Sequence, residues 1–278
     1  MLQINNLDFG YHKTPVFQNI SLEFQPGNIY GLLGENGVGK TTLFKLICGL
    51  LKPQQGTCTI DSINSFERQP QMLQDVCLLT DEFEVPSARK MSPAKYFNSI
   101  LPFYPKADVN NFLSLMVELE VDPNRNFREM SFGQQKKSMI AISMALNTRY
   151  LLLDEPTNGL DIPSKSGFRS ILSKRINEDT TIIISTHQVK DVENLIDPII
   201  ILSQDAVLLN ATTQRITEKL TFSYDSSAKL EALFSEQRPG GCLNVCINTD
   251  GSESEVDIEA LFNTVLRNSS KIKSLFNE

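Results

Sequence analysis

No stretch of the 278 residues approaches the ~18 consecutive apolar positions that a membrane-crossing helix requires, so no spanning helix is expected. The opening residues, Met1 to Phe9, lack a basic stretch followed by an apolar one, and no secretory signal is expected. No C-x-x-C pair occurs among Cys48, Cys58, Cys77, Cys242 and Cys246. Such an odd, scattered set argues against a zinc site or disulfide frame and for reduced thiols in the cytosol. An excess of basic charge is missing too: the formal net charge is -7, which argues against a nucleic-acid surface. There is no internal repeat and no low-complexity tract. The expectation is an intracellular chain, soluble or peripheral at a membrane. It is long enough for one large domain with a small appendage.

What is present is concentrated in one loop. Gly34-Glu35-Asn36-Gly37-Val38-Gly39-Lys40-Thr41 fits the pattern G-x-x-x-x-G-K-[ST] without a mismatch, and Thr42 follows it. Before it, Asn28 to Leu33 reads as a buried strand. After it, Lys40 to Leu51 carries Leu43, Phe44, Leu46, Ile47 and Leu50 at helical spacing. Glycines let the backbone wrap a phosphate, and the free N–H groups of the loop and first helical turn point at the anion. Lys40 supplies a point charge to the phosphates and Thr41 a hydroxyl to Mg²⁺. The plain alternative is a Gly-rich turn capping a helix, and the strand–loop–helix context disfavours it.

Residues 2–7, 20–24, 57–60 and 75–79 read as strands. From about 91 to 146 the pattern is helical: Met91–Leu101, Val109–Leu119 and Gln134–Leu146. Strands return at Tyr150–Leu153, Thr181–Ser185 and Ile199–Leu202, with helices Pro163–Ile176 and Gln188–Leu195 between them. This alternation predicts an α/β fold with a mostly parallel sheet covered on both faces. Pro86 and Pro93 mark the change into an inserted helical lobe spanning about 86–148. Beyond residue 205 the signal weakens. Val207–Leu209, Lys219–Phe222 and Leu243–Ile247 are strand candidates, and Glu255–Leu266 is a helix with a broad apolar face. That face is expected to pack on the last two strands in a small α+β unit, with a contact to a partner as the alternative. The division is thus 1–210 and 211–278. A chain ending near Asn210 is expected to keep nucleotide binding, because every nucleotide motif precedes that point.

Tyr150-Leu151-Leu152-Leu153-Asp154-Glu155 is an apolar strand ending in two carboxylates. A strand buried on both faces delivers acidic groups only at its end, and that end lies beside the phosphate loop in this type of sheet. Asp154 would hold Mg²⁺, directly or through water, and Glu155 would act as general base toward water.

Taken with Met130-Ser131-Phe132-Gly133-Gln134, with Glu155-Pro156-Thr157-Asn158-Gly159-Leu160-Asp161, and with Ser185-Thr186-His187, these motifs make the chain resemble the ATP-binding subunit of an ABC transporter. The likeness covers about residues 1–210. It implies a P-loop NTPase fold with an antiparallel β subdomain beside the mostly parallel sheet. The loop itself looks most like those of bacterial export-type or multidrug-type subunits. The resemblance implies ATP and Mg²⁺ as ligands and two subunits, identical or different, dimerising on ATP. It also implies a separately encoded membrane-spanning subunit, a cytoplasmic position at the inner face of the membrane, and no nucleic-acid partner. The helical lobe and the Asp81 loop would form the docking surface, and export is the expected direction.

The resemblance also assigns residues. Ser131, Gly133 and Gln134 stand where the family's signature covers the γ-phosphate held by the other subunit. They open a helix, whose N-terminus favours an anion, although a serine there is otherwise only a cap. Phe132 departs from the glycine usual at its place. His187 takes the place of the switch histidine that touches the γ-phosphate. Asp81, or Glu82 with a one-residue slip, stands where the family has a Mg²⁺-coordinating glutamine; the bland reading is an exposed acidic loop. Tyr11 occupies the place of the aromatic that stacks on adenine, and Asp161 that of the loop crossing to the partner. Two competing readings remain. One is an ABC ATPase acting on ribosomes or DNA, which the single cassette and acidic charge disfavour. The other is a nucleotide-binding regulator without turnover, which Glu155 and His187 oppose and Phe132 and Asp81 leave open.

Overall fold

The computed structural model describes residues 1–82, 85 and 91–276. Two long strands open the chain, β1 (Leu2–Tyr11) and β2 (Thr14–Phe24), and β3 (Asn28–Leu33) runs into the phosphate loop. Helix α1 (Lys40–Ile47) follows, then β4 (Gln55–Ile60), the short β5 (Ile63–Asn64), α2 (Pro70–Leu73) and β6 (Val76–Leu79). The helical lobe holds α3 (Pro93–Ile100), α4 (Val109–Glu118) and α5 (Phe132–Ala145). Each begins on a side-chain cap: Ser92, Asp108 and Ser131 accept from amides of the first turn. The expected start of the lobe, Pro86, lies outside the described residues. Then come β7 (Tyr150–Asp154), α6 (Ile162–Arg175), β8 (Thr181–Thr186), β9 (Ile199–Ser203) and β10 (Ala206–Ala211). The chain continues with α7 (Thr213–Lys219), β11 (Leu220–Asp225), β12 (Phe234–Arg238), β13 (Gly241–Ile247), α8 (Ile258–Arg267) and α9 (Ser269–Phe276).

Among the described residues the strands form three sheets. The central one has the order β10-β9-β3-β8-β7-β6, parallel except for the edge pair of β9 and β10. The register places Leu33 beside Thr186 and Asp154 beside Ser185, so the phosphate loop, Asp154 and His187 all leave the same end of the sheet. A second, antiparallel sheet has the order β2-β1-β4-β5, and a third the order β11-β13-β12.

The central strands are apolar throughout, and the period of two sorts them onto two faces. Tyr30, Leu32, Leu152, Ile183, Ile200 and Leu202 pack with α1 and the antiparallel sheet. Their neighbours Ile29, Leu33, Leu151, Leu153, Ile182, Ile184, Ile199 and Ile201 pack with the helical lobe and α6. The five cysteines are free and buried, and burial raises the Cys58 and Cys77 thiols to about 11.

One expected helix is corrected. Gln188–Leu195 forms only a single 3₁₀ turn, Val189–Asp191. Gln188 makes no side-chain cap, and the amides of Asp191, Val192 and Leu195 bond three residues back rather than four. Pro198 limits the segment at its far end.

Strand β12 and helices α7 and α9 escape the sequence pattern. The apolar face of α8 is buried on two sides. Its residues Ile258, Leu261 and Val265 share one cluster with Leu243 and Val245 of β13 and with Ile199 and Ile201 of β9. Helix α9 packs on β10, with Ile272 and Phe276 buried. The tail therefore covers the edge of the central sheet as well as its own strands. Burying Ile258, Leu261, Val265, Ile272 and Phe276 at about 1.5–3 kcal/mol each approaches the whole ~5–15 kcal/mol stability of a typical domain. Ending the chain at Asn210 also removes Ala211, the last residue of β10. Such a chain is expected to lose its cooperative thermal transition by circular dichroism. A midpoint within about 5 °C of the full chain would show that the tail is an energetically separate unit.

Candidate functional site

The site grows from the loop between β3 and α1. Gly39 sits at φ 107°, and a Cβ there would come within 2.8 Å of the Phe17 ring, so the turn closes only on glycine. No side chain caps α1, which leaves its first amides aimed into the loop. Lys40 is buried and donates from Nζ to the carbonyls of Gly34 (2.7 Å) and Glu35 (3.1 Å). Burial lowers the pKa of its ammonium, against the opposing pull of the Glu155 and Asp154 carboxylates.

Two hydroxyls hold Asp154. Thr41 Oγ1 donates to Oδ2 and Ser185 Oγ to Oδ1, and the carboxylate is buried. Thr41 and Asp154 line one cleft and offer it hard oxygen donors, the set that suits Mg²⁺.

Glu155 is held at every polar atom. Its N–H donates to the Ser185 carbonyl (2.9 Å), and its own carbonyl accepts from Lys136 Nζ (2.8 Å). Its carboxylate accepts from His187 Nδ1 (2.8 Å) and, at Oε2, from the His187 amide (3.3 Å). The residue sits at φ 46°, a conformation that a non-glycine residue keeps only when its surroundings over-determine it.

These groups open into a cleft of about 990 Å³. It is lined by Tyr11, Asn36, Gly37, Gly39, Lys40, Thr41, Thr42, Asp81, Asp154 and Glu155 among others. Tyr11 is half exposed at its mouth, edge-on to Phe9 with ring centroids 5.0 Å apart, and shares a 3.3 Å hydrogen bond with Thr42. Gly34 and Val38 shape the loop from behind, with Val38 buried against Gly34, while the exposed Glu35 contributes its carbonyl, which accepts from the Val38 amide (3.4 Å). His187 joins the cleft through Glu155. Asp81 accepts from Lys136 at Oδ1 (2.8 Å) and from Asn158 at Oδ2 (3.1 Å), so the acidic loop is anchored rather than merely solvated.

Ser131, Gly133, Gln134 and Asp161 do not line this cleft. Ser131 Oγ accepts from the Gln134 amide (3.3 Å), and Gln134 Oε1 from the Ser131 amide (3.1 Å), a reciprocal cap on α5. Asp161 caps α6 by accepting from the Ser164 amide (2.9 Å), and the Ser164 hydroxyl together with that amide holds its carboxyl below the usual range. Phe132 is turned onto the adjoining loop: a Cβ on Gly159 would come within 2.9 Å of its ring. The ring thus takes up space that only glycine leaves open, and Gly133 lies behind it with its own Cβ position 3.4 Å from the Gly159 carbonyl.

Two contributors escape the sequence reading. Ser185 stood in the Ser185-Thr186-His187 motif and at the end of a strand, with no role assigned to its hydroxyl. Lys136 is fully buried, and its signal was a lysine four residues before Ile140 and eight before Met144 on the packed side of α5.

A family model described as "ABC transporter" matches residues 17–158. The chain is 30% identical over 209 residues to the high-affinity zinc uptake system ATP-binding protein ZnuC of Bacillus subtilis, covering 72% of this chain and 90% of that protein. It is 29% identical over 247 residues to the lantibiotic transport ATP-binding protein SrtF of Streptococcus pyogenes, covering 85% and 97%. Among solved structures it is similar to the dimeric structure of MJ0796, a bacterial ABC transporter cassette. The TM-score there is 0.67 at 21% identity, over 76% of this chain and 98% of that one.

Proposed function

The chain belongs to the ABC transporter family as an ATP-binding, ATP-hydrolysing subunit, and from that premise we propose how its residues divide the work. The observation that carries the reading is the Glu155 carboxylate, held by His187 in the cleft that also contains Lys40, Thr41 and Asp154. Tyr11 stacks on the adenine. The amides from Gly34 to Thr42 and the Lys40 ammonium bind the phosphates. The Thr41 hydroxyl and Asp154 hold Mg²⁺, with Asp81 as a further carboxylate on the same cleft. When bound, that cation neutralises charge on the phosphate oxygens. Glu155 takes a proton from water as the water oxygen bonds the γ-phosphorus and the bond to the bridging oxygen breaks, leaving ADP and phosphate. His187 orients that carboxylate and touches the γ-phosphate. A steady-state ATPase assay on the purified chain tests the scheme, and no Mg²⁺-dependent turnover would overturn it.

The same premise supports a dimer in which Ser131, Gly133, Gln134 and Asp161 face the ATP of the other subunit. Their position outside their own cleft supports this reading, as does the likeness to a dimeric cassette. No described helix is long and apolar enough to cross a membrane. Membership of the family supports a separate membrane-spanning subunit, which docks on the helical lobe and the Asp81 loop at the cytoplasmic face. Export is the direction we favour, on the loop resemblance and on the broader match to SrtF than to ZnuC.

Phe132 packs on Gly159 and leaves the Ser131 corner of the α5 terminus open, which yields a paired expectation. Phe132→Gly retains ATPase activity within about five-fold, whereas Ser131→Arg places a bulky cation in the phosphate contact and lowers turnover by about a hundred-fold or more. Normal hydrolysis by Ser131→Arg would remove the signature surface from the mechanism.

A further inference from the structure

Lys136 is the one lysine among the described residues whose side chain is wholly withdrawn from solvent, at 0% exposure. A buried ammonium is tolerated only where acceptors converge on it. Two do so here, from two separate segments: the Asp81 carboxylate at 2.8 Å and the main-chain carbonyl of Glu155 at 2.8 Å. Asp81 in turn accepts from Asn158, on the loop that follows Glu155. Three segments therefore meet at one charge: the first turns of α5, the loop after β6 and the stretch following β7, whose Asn158 braces Asp81.

The contact with Glu155 matters most. That residue holds a left-handed backbone with a side chain in it, at φ 46°. Its N–H is fixed by β8 and its carboxylate by His187, while its carbonyl accepts from Lys136 Nζ (2.8 Å) and, at longer range, from the Asn158 amide (3.2 Å). We propose that Lys136 is a positioning residue for hydrolysis: its buried ammonium, anchored by Asp81, clamps the Glu155 carbonyl and so aims the Glu155 carboxylate at the water. The node also ties the signature-bearing helix α5 rigidly to the glutamate of its own cleft. A movement of α5, or of the Asp81 loop, is thereby transmitted to the base without any contact between α5 and the nucleotide bound there. The proposal rests on Glu155 being the base.

The test uses the full chain, Mg-ATP as the probe, and four variants. Glu155→Gln establishes the base. Lys136→Met removes the clamp and leaves Asp81 without its cation. Asp81→Asn/Lys136→Met removes both charges together, so that neither is left unpaired, and keeps an oxygen donor where Asp81 faces the cleft. Lys136→Arg keeps a charge but moves the donors. The expected result for Lys136→Met is a kcat lower by about ten- to a hundred-fold, with KM and ATP affinity within about three-fold of wild type. The double variant regains thermal stability relative to Lys136→Met, yet its kcat stays low, because the Glu155 carbonyl has lost its shorter, charged partner and keeps only the Asn158 amide at 3.2 Å. Should Lys136→Met fail to fold, the double variant alone decides. A kcat within about two-fold of wild type in either folded variant would overturn the proposal. So would a kcat that recovers in step with thermal stability, since that is the behaviour of a merely structural ion pair. If Glu155→Gln turns over normally, the catalytic reading itself fails. If Glu155→Gln is inactive while the Lys136 variants are active, only the positioning role fails.

Discussion

Replacing Glu155 by glutamine is expected to stop ATP turnover while sparing ATP binding. The amide keeps the size of the carboxylate and can still accept from His187, but it takes no proton from water. A positioned general base contributes about 10²–10⁴-fold, so kcat should fall by that order in a steady-state phosphate-release assay. Binding of Mg-ATP by calorimetry should change by less than about three-fold, because the phosphates are held by the loop amides, Lys40 and Thr41. With hydrolysis blocked, an ATP-bound dimer should accumulate and elute early on size exclusion with Mg-ATP. The surrounding structure makes the variant a clean probe: the Glu155 amide and carbonyl bond to Ser185 and Lys136 through the main chain, which the substitution leaves intact. Turnover at the wild-type rate would remove Glu155 from the role of base.

Lys40→Ala should act on the other half of the reaction, at binding. The ammonium is buried at the centre of the loop, and hydrogen bonds to charged groups are worth about 1.5–3 kcal/mol each. Two such contacts to phosphate oxygens correspond to a loss of at least about a hundred-fold in ATP affinity by calorimetry. The loop should largely persist: the variant loses the Lys40 Nζ bonds to the Gly34 and Glu35 carbonyls, but the packing of Gly39 against Phe17 and of Val38 against Gly34 remains. Unchanged thermal unfolding alongside lost binding would confirm that division. Affinity within a factor of about two of wild type would show that the amides alone hold the phosphates.

The two variants separate functions that the sequence presents side by side. Gly34 to Thr41 is legible because a phosphate must be wrapped by consecutive amides, which forces the glycines, the lysine and the hydroxyl into one contiguous motif. Tyr150 to Glu155 is legible because a strand buried on both faces must be apolar until it reaches the cleft. Elements with a strong period and a cap were readable almost to their ends; Val109–Glu118, with Asp108 as its cap, starts where its pattern starts. Gln188–Leu195 was not readable, since its apolar residues mimic a helix while the segment lacks a cap and runs into Pro198. In the tail, β12 carries Ser235, Glu236, Gln237 and Arg238, which hide the pairing of Phe234 with Val245.

Other features arise only when distant segments meet. From sequence, Asp81 is an acidic residue in a loop and Lys136 one of two adjacent lysines. In the folded chain 55 positions separate them, and they form an ion pair whose cation is buried. Phe132 reads as a damaged signature until Gly159 supplies the space its ring needs. The helix Ile258–Arg267 reads as an appendage until β9 and β10 prove to be part of what it covers. The sequence by itself therefore determined the nucleotide chemistry, because phosphate binding and the strand-end carboxylates are written in contiguous residues with a fixed period. Folding alone brought Lys136 and His187 onto Glu155, set Phe132 against Gly159 and laid α8 and α9 on the edge strands β9 and β10. Those depend on burial and on contacts between segments far apart in the chain, which no local pattern encodes.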